Sequence, residues 1–121
     1  MTGALTLRDD AAGGWLEPYL DALRDGRAVA SRCDCGRVSL PPEATCAVCR
    51  LPVTASVTLT GFATLIARTS GTEGDVALVR FDGATTASVA VLRGFTGQTR
   101  GRIAAAPADR PHLILMPEVP G

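Results

Sequence analysis

The sequence has no lysine: all 12 of its basic residues are Arg, set against 12 acidic residues. Schiff-base formation and a lysine general base are therefore excluded. A GC-rich genome produces such a bias by itself. The net charge of zero leaves no long-range field to draw the chain to nucleic acid or to an anionic membrane. Histidine occurs once, as His112 after "DRP", and an imidazole with no nucleophile or carboxylate near it in sequence reads as structural rather than as a general base. Aromatic residues are scarce, with one Trp, one Tyr and three Phe, so any core has to be built from Val, Leu, Ile and Ala. No apolar run approaches the roughly 18 residues of a membrane span. The opening "MTGALTLRDDAAGG" lacks the basic start and apolar run of a secretory signal. Together these features lead us to expect a cytoplasmic protein without a membrane partner.

What is there is a globular composition of 121 residues, 46% hydrophobic with mean hydropathy +0.21. A chain of this length forms one modest domain, or one domain and a small satellite, and buries roughly two-thirds of its unfolded surface.

All four cysteines fall within "SRCDCGRVSLPPEATCAVCR", residues 31–50. Cys33 and Cys35 are separated by one residue, Cys46 and Cys49 by two, and the pairs by ten. In a reducing compartment clustered cysteines serve more often as metal ligands than as disulfides. Tetrahedral zinc needs four soft donors at about 2.3 Å, which two knuckles on opposed turns supply. Gly36 lets the chain turn back after Cys35, and Pro41-Pro42 stiffens the connector. Four protein ligands close the coordination sphere, so the expected zinc is structural rather than catalytic. The single residue between Cys33 and Cys35 departs from the usual two. A different metal, or free or oxidised thiols, are the other readings of this stretch.

Around it, "WLEPYLDALRDG" places Trp15, Leu16, Tyr19, Leu20 and Leu23 at three- and four-residue spacing, with Gly26 as a stop, which predicts an amphipathic helix beginning near Glu17. The first fourteen residues read as a flexible arm. Trp15 and Tyr19 are candidates for a partner surface as well as for core packing. From Val53 the period changes to two: in "VTASVTLT" apolar residues alternate with hydroxyls, as in a half-buried strand. Gly61 then bends it into "FATLIAR". "VALVRF", "TASVAVLR", "RIAAAP" and "HLILMP" supply four more strands. "DGAT" is the expected hairpin turn, and "SGTEGD" and "GFTGQTRG" are loops. Five short curled strands predict a closed barrel of the OB type, with a small open sandwich as the alternative. The fold class is mainly β: residues 1–28 an N-terminal arm and helix, 29–52 a rubredoxin-like zinc ribbon, and 53–121 a five-stranded OB-fold barrel.

No catalytic residue is assigned. Asp9-Asp10 falls in the arm, and Glu73 and Asp75 in one loop, where paired carboxylates lack rigid placement. Binding is the stronger expectation. Arg68, Arg80, Arg93, Arg100 and Arg102 come from strands and loops that could converge on a phosphate, with Arg68 and the clustered Arg100 and Arg102 of "RGR" the best candidates. OB barrels also bind single-stranded nucleic acid, but that mode needs a basic groove and stacking aromatics, and the barrel offers only Phe62, Phe81 and Phe95. Apolar residues on both faces of "ATLIA", "ASVAVL" and "HLILM" exceed what a solvated face requires, which points to a protein partner, strands buried on both faces being the other reading.

The stretches "YLDALRDGRAVASRC", "CGRVSLPPEATCAVC" and "VTLTGFATLIART" resemble a known family: small zinc-ribbon plus OB-fold proteins that accompany acyl-CoA enzymes. The resemblance covers nearly the whole chain from Trp15 to Pro117, and its most specific part is the order of cysteine, glycine, double proline and cysteine. It implies a subunit that is not an enzyme by itself. Such subunits form hetero-oligomers with thiolase-like enzymes, including thiolase-fold aldolases that shorten steroid side chains, or sit beside enoyl-CoA hydratases. On that likeness the expected function is to stabilise such a partner and help shape its acyl-CoA site, with a coenzyme A thioester as the ligand of the complex. A free-standing OB module binding nucleotide or single strands is the alternative.

Overall fold

The computed structural model of the chain describes residues 7–71 and 74–118, the side chains of residues 7–15 excepted. Helix α1, Leu7–Arg24, opens it. The helix extends further toward the N-terminus than its sequence suggests, because Gly13, Gly14 and Pro18 all disfavour helix interiors and Pro18 nevertheless lies inside it. Its end follows the local chemistry: Arg24 in the last turn faces the negative pole of the helix dipole. Gly26 then takes a positive φ of 74°, while its N–H donates to the Leu23 carbonyl at 3.1 Å and that of Arg27 to Ala22 at 2.7 Å. This is the Schellman arrangement, in which a left-handed glycine satisfies the last helical carbonyls.

A small antiparallel sheet follows, with β1 (Ala28–Arg32) between β2 (Val38–Ser39) and β3 (Ala55–Leu59). Ser31 pairs with Ser39, and Ala28 through Arg32 pair with Leu59 back through Ala55. The cysteine stretch is the excursion between β1 and β3. The single curled strand expected from Val53 is therefore divided: β3 joins this small sheet, and Gly61, at φ 93°, turns the chain into the barrel. A side chain at Gly61 would meet Ile103 Cγ2 at 2.9 Å, so the bend needs glycine for conformation and for space.

The barrel consists of β4 (Phe62–Gly71), β5 (Gly74–Phe81), β6 (Ser88–Leu92), β7 (Arg100–Ala104) and β8 (Ile114–Pro117). Its strand order is β4-β5-β6-β8-β7, closed by pairing of β7 with β4. All neighbours are antiparallel except β6 and β8, which run parallel with Val91 beside Ile114. This is the five-stranded OB barrel that the strand count and the glycine bend predict. A register shift between Leu65 and Ala67 curls β4, as bulges do at barrel corners.

Alternation sorts the side chains. Along β5, Ala77, Val79 and Phe81 point into the barrel, and Val76, Leu78 and Arg80 point out. One continuous core runs from Tyr19 and Leu23 of the helix through Ala28, Ala30 and Leu40 to Phe81 and Leu115 of the barrel. Among the described residues no helix is long and apolar enough to cross a membrane.

Candidate metal centre

The two cysteine pairs sit on turns built from backbone hydrogen bonds. In the first, the Gly36 N–H donates to the Cys33 carbonyl at 2.8 Å and the Cys33 N–H to that of Arg37 at 2.9 Å. Gly36 adopts φ 96°, a left-handed conformation that glycine enters without strain. The turn thus closes although one residue rather than two separates the cysteines. In the second, the Cys46 N–H donates to Leu51 and the Arg50 N–H to Cys46, both at 2.9 Å, with Arg50 itself left-handed at φ 65°. The connector is pinned as well. Arg37 Nε pairs with Glu43 at 2.8 Å, and the Glu43 N–H donates to Ser31 Oγ at 3.0 Å.

These turns aim the four thiols at one point. Cys33 and Cys49 sulfurs lie 3.2 Å apart, those of Cys35 and Cys46 3.8 Å apart, and all four fall within 4.8 Å of one another. All are free cysteines. Tetrahedral coordination with metal–sulfur bonds of about 2.3 Å separates sulfurs by roughly 3.8 Å, so the cluster can hold one metal ion, and four thiolates are the donor set of closed structural sites. Cys46 is fully buried and Cys35 exposed. The Cys46 thiol is pulled down to about 6, first by the backbone N–H of Cys49 and, against the opposing effect of burial, by that of Val48. The second knuckle thus stabilises a thiolate, the form that binds metal. Cys33 is pushed up to about 12: the backbone N–H of Cys35 pulls it down, but its contact with the Cys49 thiol and its burial outweigh that.

Two of the arginines expected at a phosphate, Arg68 and Arg100, are engaged by other groups. Arg68 Nη2 pairs with Asp75 at 2.5 Å and its Nη1 donates to the Thr96 carbonyl at 2.8 Å. Arg100 holds Asp82 and approaches Glu118 at 3.4 Å. Arg102 is exposed and stands opposite Phe62 and Met116 in the barrel ladder. Asp75 is thereby the ion-pair partner of an arginine, whereas Glu73 lies outside the described residues. Tyr19, expected at a partner surface, is only 8% exposed and packs into the core, where burial pushes its phenol up to about 12. Trp15 lies in α1, and its side chain is outside the described residues.

An apolar surface is found on the barrel instead. On the outer face of β5 and β6, Val76 pairs with Val91 and Leu78 with Val89, at 38%, 40% and 67% exposure for Val76, Leu78 and Val89. Ile66 and Met116 are also exposed on β4 and β8. Cross-strand pairs of this kind normally stabilise a sheet by packing under a cover.

No family model matches the chain, and no curated protein sequence matches it. Solved structures do. A protein of unknown function from the DUF35 family of Sulfolobus solfataricus superposes with a TM-score of 0.63 at 20% identity, over 96% of this chain and all (100%) of that one. A chain of the Ltp2-ChsH2(DUF35) aldolase superposes with a TM-score of 0.65 at 19% identity, over 88% of this chain and 94% of that one. Helix, four-cysteine sheet and five-stranded barrel thus combine here in the fold of DUF35 proteins.

Proposed function

We propose that this chain is an accessory subunit of a thiolase-like acyl-CoA enzyme, binding and stabilising it without supplying the reacting groups. The observation that carries the reading is the fold shared, over nearly the full length of both chains, with a chain of an aldolase assembly. The apolar outer face of β5 and β6 supports it, since a continuous apolar surface on a small protein is ordinarily covered by another. The cysteine cluster is assigned to structural zinc, held by Cys33, Cys35, Cys46 and Cys49, which stabilises a sheet too small to build a core of its own.

The reading extends to the partner's chemistry. A thiolase-fold aldolase cleaving steroid side-chain acyl-CoA is the specific enzyme we assign, with the coenzyme A thioester bound by the complex in the cytoplasm. The contribution of this chain is positional: it holds the partner's channel in shape and keeps water from it. Its own side chains fit that role. The His112 ring nitrogen Nδ1 lies 2.7 Å from the Arg110 carbonyl and meets no nucleophile among the described residues.

Affinity purification of the tagged chain from its native extract, with co-purifying proteins identified and zinc measured on the same sample, tests the assignment. A thiolase-like or hydratase enzyme retained in near-equal amount is the expected result. Elution alone, or with nuclease-sensitive nucleic acid, would replace this reading with that of a free-standing OB module.

A further inference from the structure

Among the described residues, five arginines are paired with carboxylates: Arg24 with Asp21, Arg27 with Asp25, Arg37 with Glu43, Arg68 with Asp75, and Arg100 with Asp82 and Glu118. Arg93 and Arg110 have no such partner among the described residues, and both line one open cleft of about 840 Å³ together with His112. Among the described residues, Asp109 is the only acidic one lining it. Two arginines and a histidine thus border one space together with a single acidic residue.

The backbone that carries these groups is held in place. Arg93 follows directly on β6, and its N–H donates to the Leu115 carbonyl at 2.9 Å, while the Val91 N–H donates to Leu113 at 2.9 Å. These bonds lock the end of β6 against the segment leading into β8. On the facing wall the turn from Pro107 to Arg110 is closed by the Arg110 N–H donating to the Pro107 carbonyl at 3.3 Å. Pro107 and Pro111, each with φ fixed by its ring, bracket the turn. Little backbone freedom remains to be lost when a ligand enters.

His112 is oriented by the same turn. Its Nδ1 lies 2.7 Å from the Arg110 carbonyl, and because a carbonyl only accepts, Nδ1 carries the hydrogen. Nε2 is then the remaining polar atom of the ring, and a donor whenever the ring is protonated. Planar guanidinium forks match the oxygens of a phosphate group in pairs. The cleft is far larger than one phosphate and falls in the size range of small-molecule sites, and Val91, Pro107 and Pro111 give it apolar edges.

We propose that the cleft between Arg93, Arg110 and His112 binds a phosphorylated small molecule, the two guanidinium groups holding its phosphate oxygens and the apolar edges taking the remainder. The site is distinct from the expected Arg68, Arg100 and Arg102 set, and it stands whether or not the chain has an enzyme partner.

The test uses the zinc-loaded full chain with isotopically labelled arginine, inorganic diphosphate as the probe and low salt. Side-chain Nε–H signals are followed by NMR. The expected result is a saturable shift of the Arg93 and Arg110 signals, with Arg32 and Arg102, which also lack ion-pair partners among the described residues, as unmoved references. Arg93→Ala and Arg110→Ala should each weaken binding by about tenfold, the cost of one charge-assisted contact. Asp109→Asn should strengthen it. Equal, non-saturating shifts at Arg32 and Arg102 would overturn the proposal, leaving only non-specific attraction of an anion to exposed charge. Both arginines are on the surface, so the folded state survives these changes, and unchanged melting curves verify that.

Discussion

Arg100 grips Asp82 with both arms of its guanidinium: Nη1 donates to Oδ1 and Nη2 to Oδ2, each at 2.9 Å. Nη1 also donates to Thr64 Oγ1 at 3.0 Å, so one side chain joins the end of β5 to the β4–β7 seam that closes the barrel. A residue that looked available for a ligand is thus a structural tie.

Acid should release that tie. The Arg100 guanidinium, against a small opposing effect of burial, holds the Asp82 carboxyl below its ordinary 3.8, and Arg68 with help from Ser70 does the same for Asp75. A depressed folded-state value means that the unfolded chain binds the proton more tightly, so the stabilisation is present above the ordinary aspartate range and is lost as the pH falls through the folded-state value. The Asp82 and Arg100 side chains are 45% and 39% exposed, so solvent screening keeps the contribution of the pair small. Asp82→Asn should therefore lower the melting temperature by about 2–5 °C at pH 7. Melts recorded toward pH 2 should bring wild type and variant together; a difference that persists there would assign the loss to packing instead.

Removing one cysteine should cost more. Cys46 is fully buried in the cluster, and Cys46→Ser is expected to release metal and to lower the melting temperature well beyond any surface variant. Metal content by mass spectrometry and thermal melts with and without chelator are the measurements. An unchanged melt, with no metal bound to wild type or variant, would remove zinc from the account.

Gly101 is a steric test of barrel closure. A Cβ there would lie 2.7 Å from Phe95 Cζ and 2.8 Å from the Met116 carbonyl oxygen. Gly101→Ala should cost about 1–3 kcal/mol by overpacking, seen as a lower urea midpoint at constant slope. Combining it with Phe95→Leu should recover part of the loss relative to Phe95→Leu alone, because only the ring can move aside.

The outer face of β5 and β6 separates folding from association. Val89→Glu, at a position 67% exposed, should leave stability within about 0.5 kcal/mol while abolishing co-purification of the proposed partner enzyme. Retention of the partner by this variant would place the interface elsewhere on the chain.

Much of this fold was legible in the sequence, for identifiable reasons. Alternation in "VTASVTLT" and "VALVRF", the glycine at position 61 and the spacing of Cys33, Cys35, Cys46 and Cys49 are local signals with one dominant cause each. The N-terminal extent of α1 was not legible, because Gly13, Gly14 and Pro18 argue locally against a helix that is present. Nor was the membership of β3. Periodicity shows that a strand is half buried but not which sheet it joins, and only its pairing with β1 reveals that. The arginines show the same limit. Arg68 and Arg100 look like Arg93 and Arg110 in sequence, and what distinguishes them is whether a carboxylate from another strand lies within reach.

The cysteine sheet is stitched to the barrel by β2. The Val38 N–H donates to Thr85 Oγ1 at 3.0 Å, its carbonyl accepts from the Thr85 N–H at 2.8 Å, and the Leu40 N–H donates to Thr86 Oγ1 at 3.1 Å. Ser88 Oγ donates to the Leu40 carbonyl. With these bonds across one seam, the ribbon and the barrel are expected to melt as a unit. Any free energy gained by loading the thiols, which grows with the logarithm of available metal, is therefore shared by β6 and by the apolar face it carries. The supply of a trace metal would set how long the barrel survives, tying the abundance of this protein to the metal available in its cell.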